Sequence, residues 1–169
     1  MLGLLSRATR ASSWPKYNDV RNTAVVPTCR IDGCVVARET PHRIEHADGV
    51  VHTWCAFDAI GIPAALGMDA AAVTTCSACG AELRVVLTHG VPPDGGALRL
   101  WLPSGECAHL VDDFCRHTNL YCDAEHLATI VPAGTPGQAV TVADAAALGR
   151  DTWRDVSTIL PTSGDADRR

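Results

Sequence analysis

The sequence has little of three features that would each identify a class of protein. Its 169 residues contain no apolar run near the roughly 20 residues that a membrane helix requires. It has no basic cluster, and 19 acidic against 14 basic side chains give a net charge of −5. Aromatic residues make up only 5% of the chain. We therefore expect a protein that binds neither membranes nor nucleic acid.

What the chain does have is apolar content and cysteine. The apolar fraction of 47% excludes wholesale disorder, because disordered chains are far poorer in such residues. A length of 169 residues fits one domain with a substantial core. The eight cysteines need an explanation, and disulfides, a metal site and catalysis are the candidates.

The beginning of the chain bears on the redox state of these cysteines. The apolar stretch at residues 2–5 is too short for the hydrophobic region of a secretory signal, and no basic segment precedes it. We therefore predict a cytoplasmic protein, in which thiols stay reduced and a disulfide framework is not expected.

Short β-type runs and a few helical segments share the chain. Strands are predicted at residues 34–38, 49–53, 71–75, 81–88, 97–102 and 140–142. Helices are predicted at residues 53–66, 108–121, from 123 onward and 143–156. Pro63 is expected to break or kink the first helix near Ile62. This order indicates an α+β fold of antiparallel sheet and hairpins with flanking helices. The predicted domain covers residues 28–156, between a candidate flexible lead-in at 1–27 and a polar tail at 157–169.

The first candidate catalytic residues are Cys55 and Asp58, at the start of the first predicted helix. Their spacing of three places the thiol and the carboxyl on one helical face. In the first turn, free backbone N–H groups and the helix dipole favour a thiolate at Cys55. Apolar neighbours are expected to raise the proton affinity of Asp58 and keep it available as a proton donor. The alternative is a buried cysteine beside a surface aspartate.

A second thiol, Cys115, lies in another predicted helix about sixty residues further on. Two thiols from separate helices could converge on a soft metal ion, which prefers thiolate ligands. The alternative is a buried structural cysteine, which is a common fate of this residue.

These motifs resemble the catalytic core of the alkylmercury lyases, also called organomercurial lyases. The resemblance rests on residues 38–40 (RET), 52–60 (HTWCAFDAI), 63–67 (PAALG), 73–76 (VTTC) with Gly80, 113–115 (DFC) and 123–148. The W-C-A-x-D signature of that family is intact at Trp54–Asp58. The resemblance covers roughly residues 34–154, and residues 1–33 do not resemble the helical region that usually precedes the family's core.

The resemblance implies an enzyme that cleaves carbon–mercury bonds by protonolysis. Cys55 and Cys115 would bind mercury as thiolates, and Asp58 would carry the proton and serve as a candidate third ligand. The products would be a hydrocarbon and bound Hg(II), which cellular thiols or a mercuric reductase would accept. No organic cofactor is implied. The short N-terminal part suggests a homo-oligomer as one way to cover the core.

The remaining cysteines allow further interpretations. Cys29, Cys34, Cys76 and Cys79 have C-x4-C and C-x2-C spacings that are compatible with a structural zinc site. The alternative is that Cys76 is structural and the others are incidental. Cys107 and Cys122 are either core residues or a relay for mercury, and a continuous helix would place Cys122 on the face of Cys115. His109, His117 and His126 are expected at the surface or in helix caps rather than as metal ligands.

A different function uses the same three residues. The chain would then be a repurposed relative, either a metal-thiolate protein or a pathway enzyme, that binds copper or zinc at Cys55, Asp58 and Cys115. The extra cysteines and the short N-terminal part motivate this alternative.

Overall fold

The computed structural model of the chain describes residues 30–155. Its strands are β1 Val35–Val36, β2 Arg43–His46, β3 Gly49–Thr53, β4 Ala70–Thr75, β5 Glu82–Leu87, β6 Arg99–Pro103, β7 Leu120–Tyr121 and β8 Gly137–Val140. Its α-helices are α1 Ile31–Cys34, α2 Ala56–Leu66, α3 Ala124–Ile130 and α4 Val142–Thr152. This mixture of helices and antiparallel strands confirms the predicted α+β fold. The predicted lead-in at 1–27 and tail at 157–169 lie outside the described residues.

Two antiparallel sheets organise the strands. The larger has the order β1-β3-β2-β4-β5, and the smaller has the order β7-β6-β8. The β4–β5 hairpin pairs Thr75 with Glu82 across the turn that holds Cys76 and Cys79. On β5 the residues alternate between exposed and buried, whereas β4 is buried along almost its whole length. The larger sheet therefore presents one apolar face to the core.

Helix α2 lies at the centre, between the larger sheet and α4. Residues 56–64 of this helix are all buried. It runs past Pro63 to Leu66, and Gly67 ends it in the left-handed conformation at φ 63°. The predicted break near Ile62 is therefore wrong. The helix is apolar and buried on every side. This burial stabilises it by more than the loss of the one backbone hydrogen bond that proline removes.

Helices α2 and α4 cross at two glycines. A Cβ on Gly61 would lie 2.7 Å from the Trp153 ring and 3.1 Å from the Cα of Gly149. A Cβ on Gly149 would collide directly with the backbone of Gly61. Close contact between these helices therefore depends on the absence of side chains at both positions. Helix α4 begins with a capping box between Thr141 and Asp144, which fixes its start.

We expect Gly149→Ala to destabilise the fold although alanine favours helix formation. The added methyl group would push α4 away from α2, and overpacking of this kind costs about 1–3 kcal/mol. Urea denaturation of the variant and the wild type measures this difference in the free energy of unfolding. Ala147→Gly, an exposed change on the same helix, serves as control and should cost at most about 1 kcal/mol. A Gly149→Ala variant as stable as the wild type would contradict the tight crossing.

The segment before β7 differs from its prediction. The predicted helix at 108–121 is instead a wide, π-helical turn at Leu110–Phe114, a 3-10 turn at Cys115–His117, and strand β7. The Asp113 carboxylate accepts hydrogen bonds from the N–H groups of Ala108 and His109, at 2.8 and 2.7 Å. Pairing of β7 with β6 then draws the chain into the smaller sheet. Local capping and sheet pairing thus replace the regular helix.

Other predicted elements are close to those observed. Strand β3 has its predicted bounds, and α3 follows Asp123, whose carboxylate accepts the N–H of His126. Strand β2 was not predicted, and it forms a hairpin with β3. None of the helices within residues 30–155 has the length and apolarity needed to cross a membrane.

Candidate active site

Cys55 sits where strand β3 turns into helix α2. It is the N-cap residue, with extended backbone angles of φ −147° and ψ 170°. Its carbonyl accepts the N–H of Ala59 at 3.2 Å, which closes the first helical turn. The buried hydroxyl of Thr53 donates to the same carbonyl at 3.1 Å. The thiol is completely buried, at 0% exposure.

Asp58 is the third residue of α2 and is only 4% exposed. The N-cap and the third helical residue face each other, as in a capping box, so this spacing directs the carboxyl towards Cys55. Within the described part of the chain, Asp58 Oδ2 is buried and has no hydrogen-bond partner. A buried acceptor of this kind is costly, and such groups commonly belong to functional sites.

Cys115 lies at the junction of the two turns that precede β7. It is 3% exposed. The Thr118 N–H donates to the Cys115 carbonyl at 3.2 Å, and the Thr118 hydroxyl donates to the Phe114 carbonyl at 2.8 Å. The Ala56 N–H donates to the Thr118 carbonyl at 3.3 Å. Thr118 thereby connects the backbone next to Cys55 to the backbone of Cys115.

Aromatic packing reinforces this connection. The ring of Phe57, two residues after Cys55, meets the ring of Phe114 edge-on at a centroid distance of 6.3 Å. On its other side Phe57 stacks on Trp153 of the C-terminal region, at 5.5 Å. The residues that flank each thiol are therefore in contact, and their geometry is held by packing as well as by hydrogen bonds.

The structure brings the three predicted residues into one buried cluster. The sulfurs of Cys55 and Cys115 and a carboxylate oxygen of Asp58 all lie within 4.8 Å of one another. The spacing of three explains why Cys55 and Asp58 meet, whereas the approach of Cys115 depends on tertiary packing.

Burial controls the protonation of this cluster. It raises the pKa of the Cys55 thiol well above its usual value, and the neighbouring Cys115 thiol and Asp58 carboxyl add to the effect. Burial also raises the pKa of Asp58 from 3.8 to about 7, against a smaller lowering by Cys55. The expected thiolate at the helix start is therefore wrong for Cys55, because burial outweighs the helix N-terminus. The raised proton affinity of Asp58 agrees with its prediction.

This arrangement can bind a soft cation and move a proton. Two sulfurs within reach of one ion form a strong site for a thiophilic metal, provided that both thiols lose their protons. A carboxyl group with a pKa near neutrality can accept such a proton and pass it on. The buried setting strengthens both interactions, because water does not screen them.

The cysteines predicted to bind zinc have different surroundings from those expected. Cys29 lies outside the described residues, and Cys34 is disulfide-bonded, which differs from the expectation of reduced thiols. Cys76 and Cys79 lie instead with Cys122 and His126 in a second cluster. The predicted grouping is therefore not the one observed. The C-x2-C and C-x3-H spacings of these residues together were the signal that could have identified it.

Of the other residues considered, Cys107, His109 and His117 lie outside both clusters, whereas Cys122 and His126 belong to the second. Cys107 is buried, and burial raises the pKa of its thiol, with smaller contributions from Asp113 and Cys115. His109 and His117 are exposed, as expected. His126 is not simply a surface residue, because its Nδ1 lies 3.6 Å from the Cys76 sulfur. Cys122 belongs to this second cluster and does not share a helical face with Cys115.

Comparison with known proteins places these features in context. A family model described as MerB, alkylmercury lyase, matches residues 35–154. Among solved structures, the chain is similar to the one titled "Crystal structure of the mercury-bound form of MerB2", with a TM-score of 0.64 and 16% sequence identity. The match covers 72% of this chain and 62% of that chain. At this identity the structural likeness establishes a shared fold, and this chain spans less than two thirds of its neighbour's length.

Proposed function

Because the chain belongs to the alkylmercury lyase family, whose model matches residues 35–154, we propose that it cleaves carbon–mercury bonds of organomercurials by protonolysis. The observation that carries this proposal is the buried cluster of Cys55, Asp58 and Cys115, whose ligand atoms lie within 4.8 Å of one another. The substrate would be an organomercurial bound to a cellular thiol.

Mercury binding begins with an exchange of thiol ligands. One of the two cysteines gives its sulfur to mercury, and the departing cellular thiolate takes the proton of that cysteine. Mercury is a soft cation, and a thiolate binds it far better than oxygen or nitrogen donors do. The second cysteine then adds to the same ion. The closeness of the two sulfurs makes this step intramolecular, which lowers its entropic cost.

Asp58 transfers the proton of the second cysteine to the leaving carbon. Its carboxylate accepts this proton as the sulfur binds mercury, and the resulting carboxylic acid donates it to the carbon. Both electrons of the carbon–mercury bond stay with carbon, so mercury remains in the +2 state. A pKa of about 7 suits this role, because the group can both take and give a proton near neutral pH.

The step balances without a further reactant. One organomercurial–thiol adduct and two cysteine thiols give one hydrocarbon, one free thiol and Hg(II) held by Cys55 and Cys115. No organic cofactor is required in this step, since the two thiols supply the mercury ligands and the proton, and Asp58 carries that proton. Two cellular thiols would then exchange with the two cysteines and carry Hg(II) to an acceptor such as a mercuric reductase.

The proposal is tested with the full chain, purified in the reduced state and incubated with a phenylmercury salt and excess thiol. We expect benzene in the headspace, measured by gas chromatography, in multiple turnovers per protein molecule. Thiol and phenylmercury without protein give the background rate.

Folded, reduced protein that releases no benzene above this background would refute the lyase. Binding of copper that is lost in Cys55→Ser would then favour the repurposed metal-thiolate protein.

A further inference from the structure

A second cluster of metal-ligating side chains lies outside the proposed active site. Cys76 directly follows strand β4, and Cys79 lies three residues later in the β4–β5 turn. Cys122 directly follows β7, and His126 lies in the first turn of α3. One ligand atom from each of the four residues lies within 4.8 Å of the others. Three sulfurs and one imidazole nitrogen thus converge from two distant segments.

Two ligand–ligand distances in the cluster match the edges of a tetrahedron around zinc. Zn–S bonds near 2.3 Å and Zn–N bonds near 2.0–2.1 Å at tetrahedral angles separate two sulfurs by about 3.8 Å, and sulfur from nitrogen by about 3.6 Å. The sulfurs of Cys79 and Cys122 are 3.7 Å apart. The Cys76 sulfur and His126 Nδ1 are 3.6 Å apart. Two of the six ligand–ligand distances therefore fit a closed four-ligand site, and the other four are at most 4.8 Å.

Local hydrogen bonds that involve no metal fix the backbone of both ligand-bearing segments. In the β4–β5 turn, the Gly80 N–H donates to the Cys76 carbonyl and the Cys76 N–H donates to the Ala81 carbonyl, both at 2.8 Å. Gly80 adopts φ 77°, a conformation that glycine reaches without strain. On the other segment, Asp123 caps α3 by accepting the N–H of His126 at 2.8 Å. Both segments thus hold their ligands in place with local hydrogen bonds.

We propose that Cys76, Cys79, Cys122 and His126 bind one structural zinc ion. Three sulfurs and one imidazole form a common ligand set of structural zinc, and all four tetrahedral positions are filled by protein. The proposed active site differs in kind, because its two sulfurs leave room for a substrate. This site stands apart from the proposed lyase activity and does not depend on it.

The zinc would cross-link the two sheets close to Cys115 in the sequence. It joins the β4–β5 turn of the larger sheet to the end of β7, which has only two residues and belongs to the smaller sheet. Cys115 precedes Leu120, the first residue of β7, by five positions. Zinc would therefore stabilise the fold and help to hold the segment that carries Cys115.

The test measures metal in the full chain, produced in zinc-supplemented medium and purified with reductant but without chelator. We expect about one zinc per chain by mass spectrometry, and X-ray absorption should show three sulfur ligands and one nitrogen ligand. Cys79→Ser and Cys122→Ser should each lower the zinc retained against a competing chelator by at least about tenfold. His126→Cys should retain zinc, because four cysteines also form structural zinc sites.

The controls separate this site from the proposed active site. Cys55→Ser and Cys107→Ser each remove a buried thiol outside the cluster and should keep one zinc per chain. Three results would each overturn the proposal: wild-type protein that holds no zinc, zinc lost in Cys55→Ser but kept in Cys79→Ser, or a Cys79–Cys122 disulfide in freshly purified protein. X-ray absorption on the wild type decides the ligand set even if a variant fails to fold.

Discussion

Replacing either Cys55 or Cys115 by serine is expected to lower benzene release from phenylmercury by at least about a thousandfold. A serine hydroxyl has nearly the size of the thiol but is a hard oxygen donor, which binds mercury far more weakly. With one thiolate left, the substrate can attach but the second sulfur that labilises the carbon–mercury bond is missing. Because the two sulfurs act on one ion, the double variant should be little worse than either single variant.

Cys107→Ser is the matched control for this experiment. Cys107 is a buried cysteine that also lies near Cys115, yet it does not belong to the cluster of three. We expect this variant to keep at least about half of the wild-type rate, with a similar unfolding midpoint. A Cys115→Ser variant that is folded and retains a tenth or more of the wild-type rate would contradict the role proposed for its thiol.

The contact between Cys55 and Asp58 is the part of the active site that sequence spacing predicts. Cys55 and Asp58 are three residues apart at a helix start, and the helical repeat alone brings them together. Strand β3 and the cap at Asp123 are likewise encoded by adjacent residues. The position of Cys115 could not be derived in this way, because hydrogen bonds of Asp113 and Thr118 replace the expected helix with a wide π-helical turn and a 3-10 turn.

The second cluster shows the same limit over a longer distance. Cys76 and His126 are fifty residues apart, and they meet because β4 and β7 belong to sheets that lie side by side. The expected grouping with Cys29 and Cys34 rests on cysteine spacing, and it places His126 at the surface or in a helix cap rather than among the ligands. Sheet order is set by the packing of the whole core, and sequence spacing does not reveal it.

The Asp58→Asn variant is expected to bind mercury but to release benzene about 100 to 10,000 times more slowly than the wild type. Asparagine has the size of aspartate and leaves both thiols in place, but it cannot carry the proton from sulfur to carbon. Mercury stoichiometry and single-turnover benzene release measure binding and proton delivery separately. Turnover above about half of the wild-type rate would exclude Asp58 as the proton carrier.

The same variant should be more stable than the wild type above neutral pH. The carboxyl of Asp58 has an ordinary pKa of 3.8 and a pKa of about 7 when buried in the folded protein. Between these values the folded state holds a proton that the unfolded state has released, so the free energy of unfolding falls as pH rises. Three pKa units correspond to about 4 kcal/mol, and relaxation around the charge reduces this to roughly 2–4 kcal/mol.

Urea denaturation of the wild type and Asp58→Asn between pH 4 and pH 8 measures the difference in their free energies of unfolding. The stability gained by Asp58→Asn should be smallest at pH 4, grow through the interval, and level off above pH 7. His42, whose pKa burial lowers to about 4, titrates in both proteins and cancels in the difference. A difference that does not vary with pH would mean that Asp58 ionises normally in the fold. If Asp58→Asn gains stability with rising pH and also loses turnover, the wild-type chain is less stable than it could be because it keeps a proton carrier beside its two thiols.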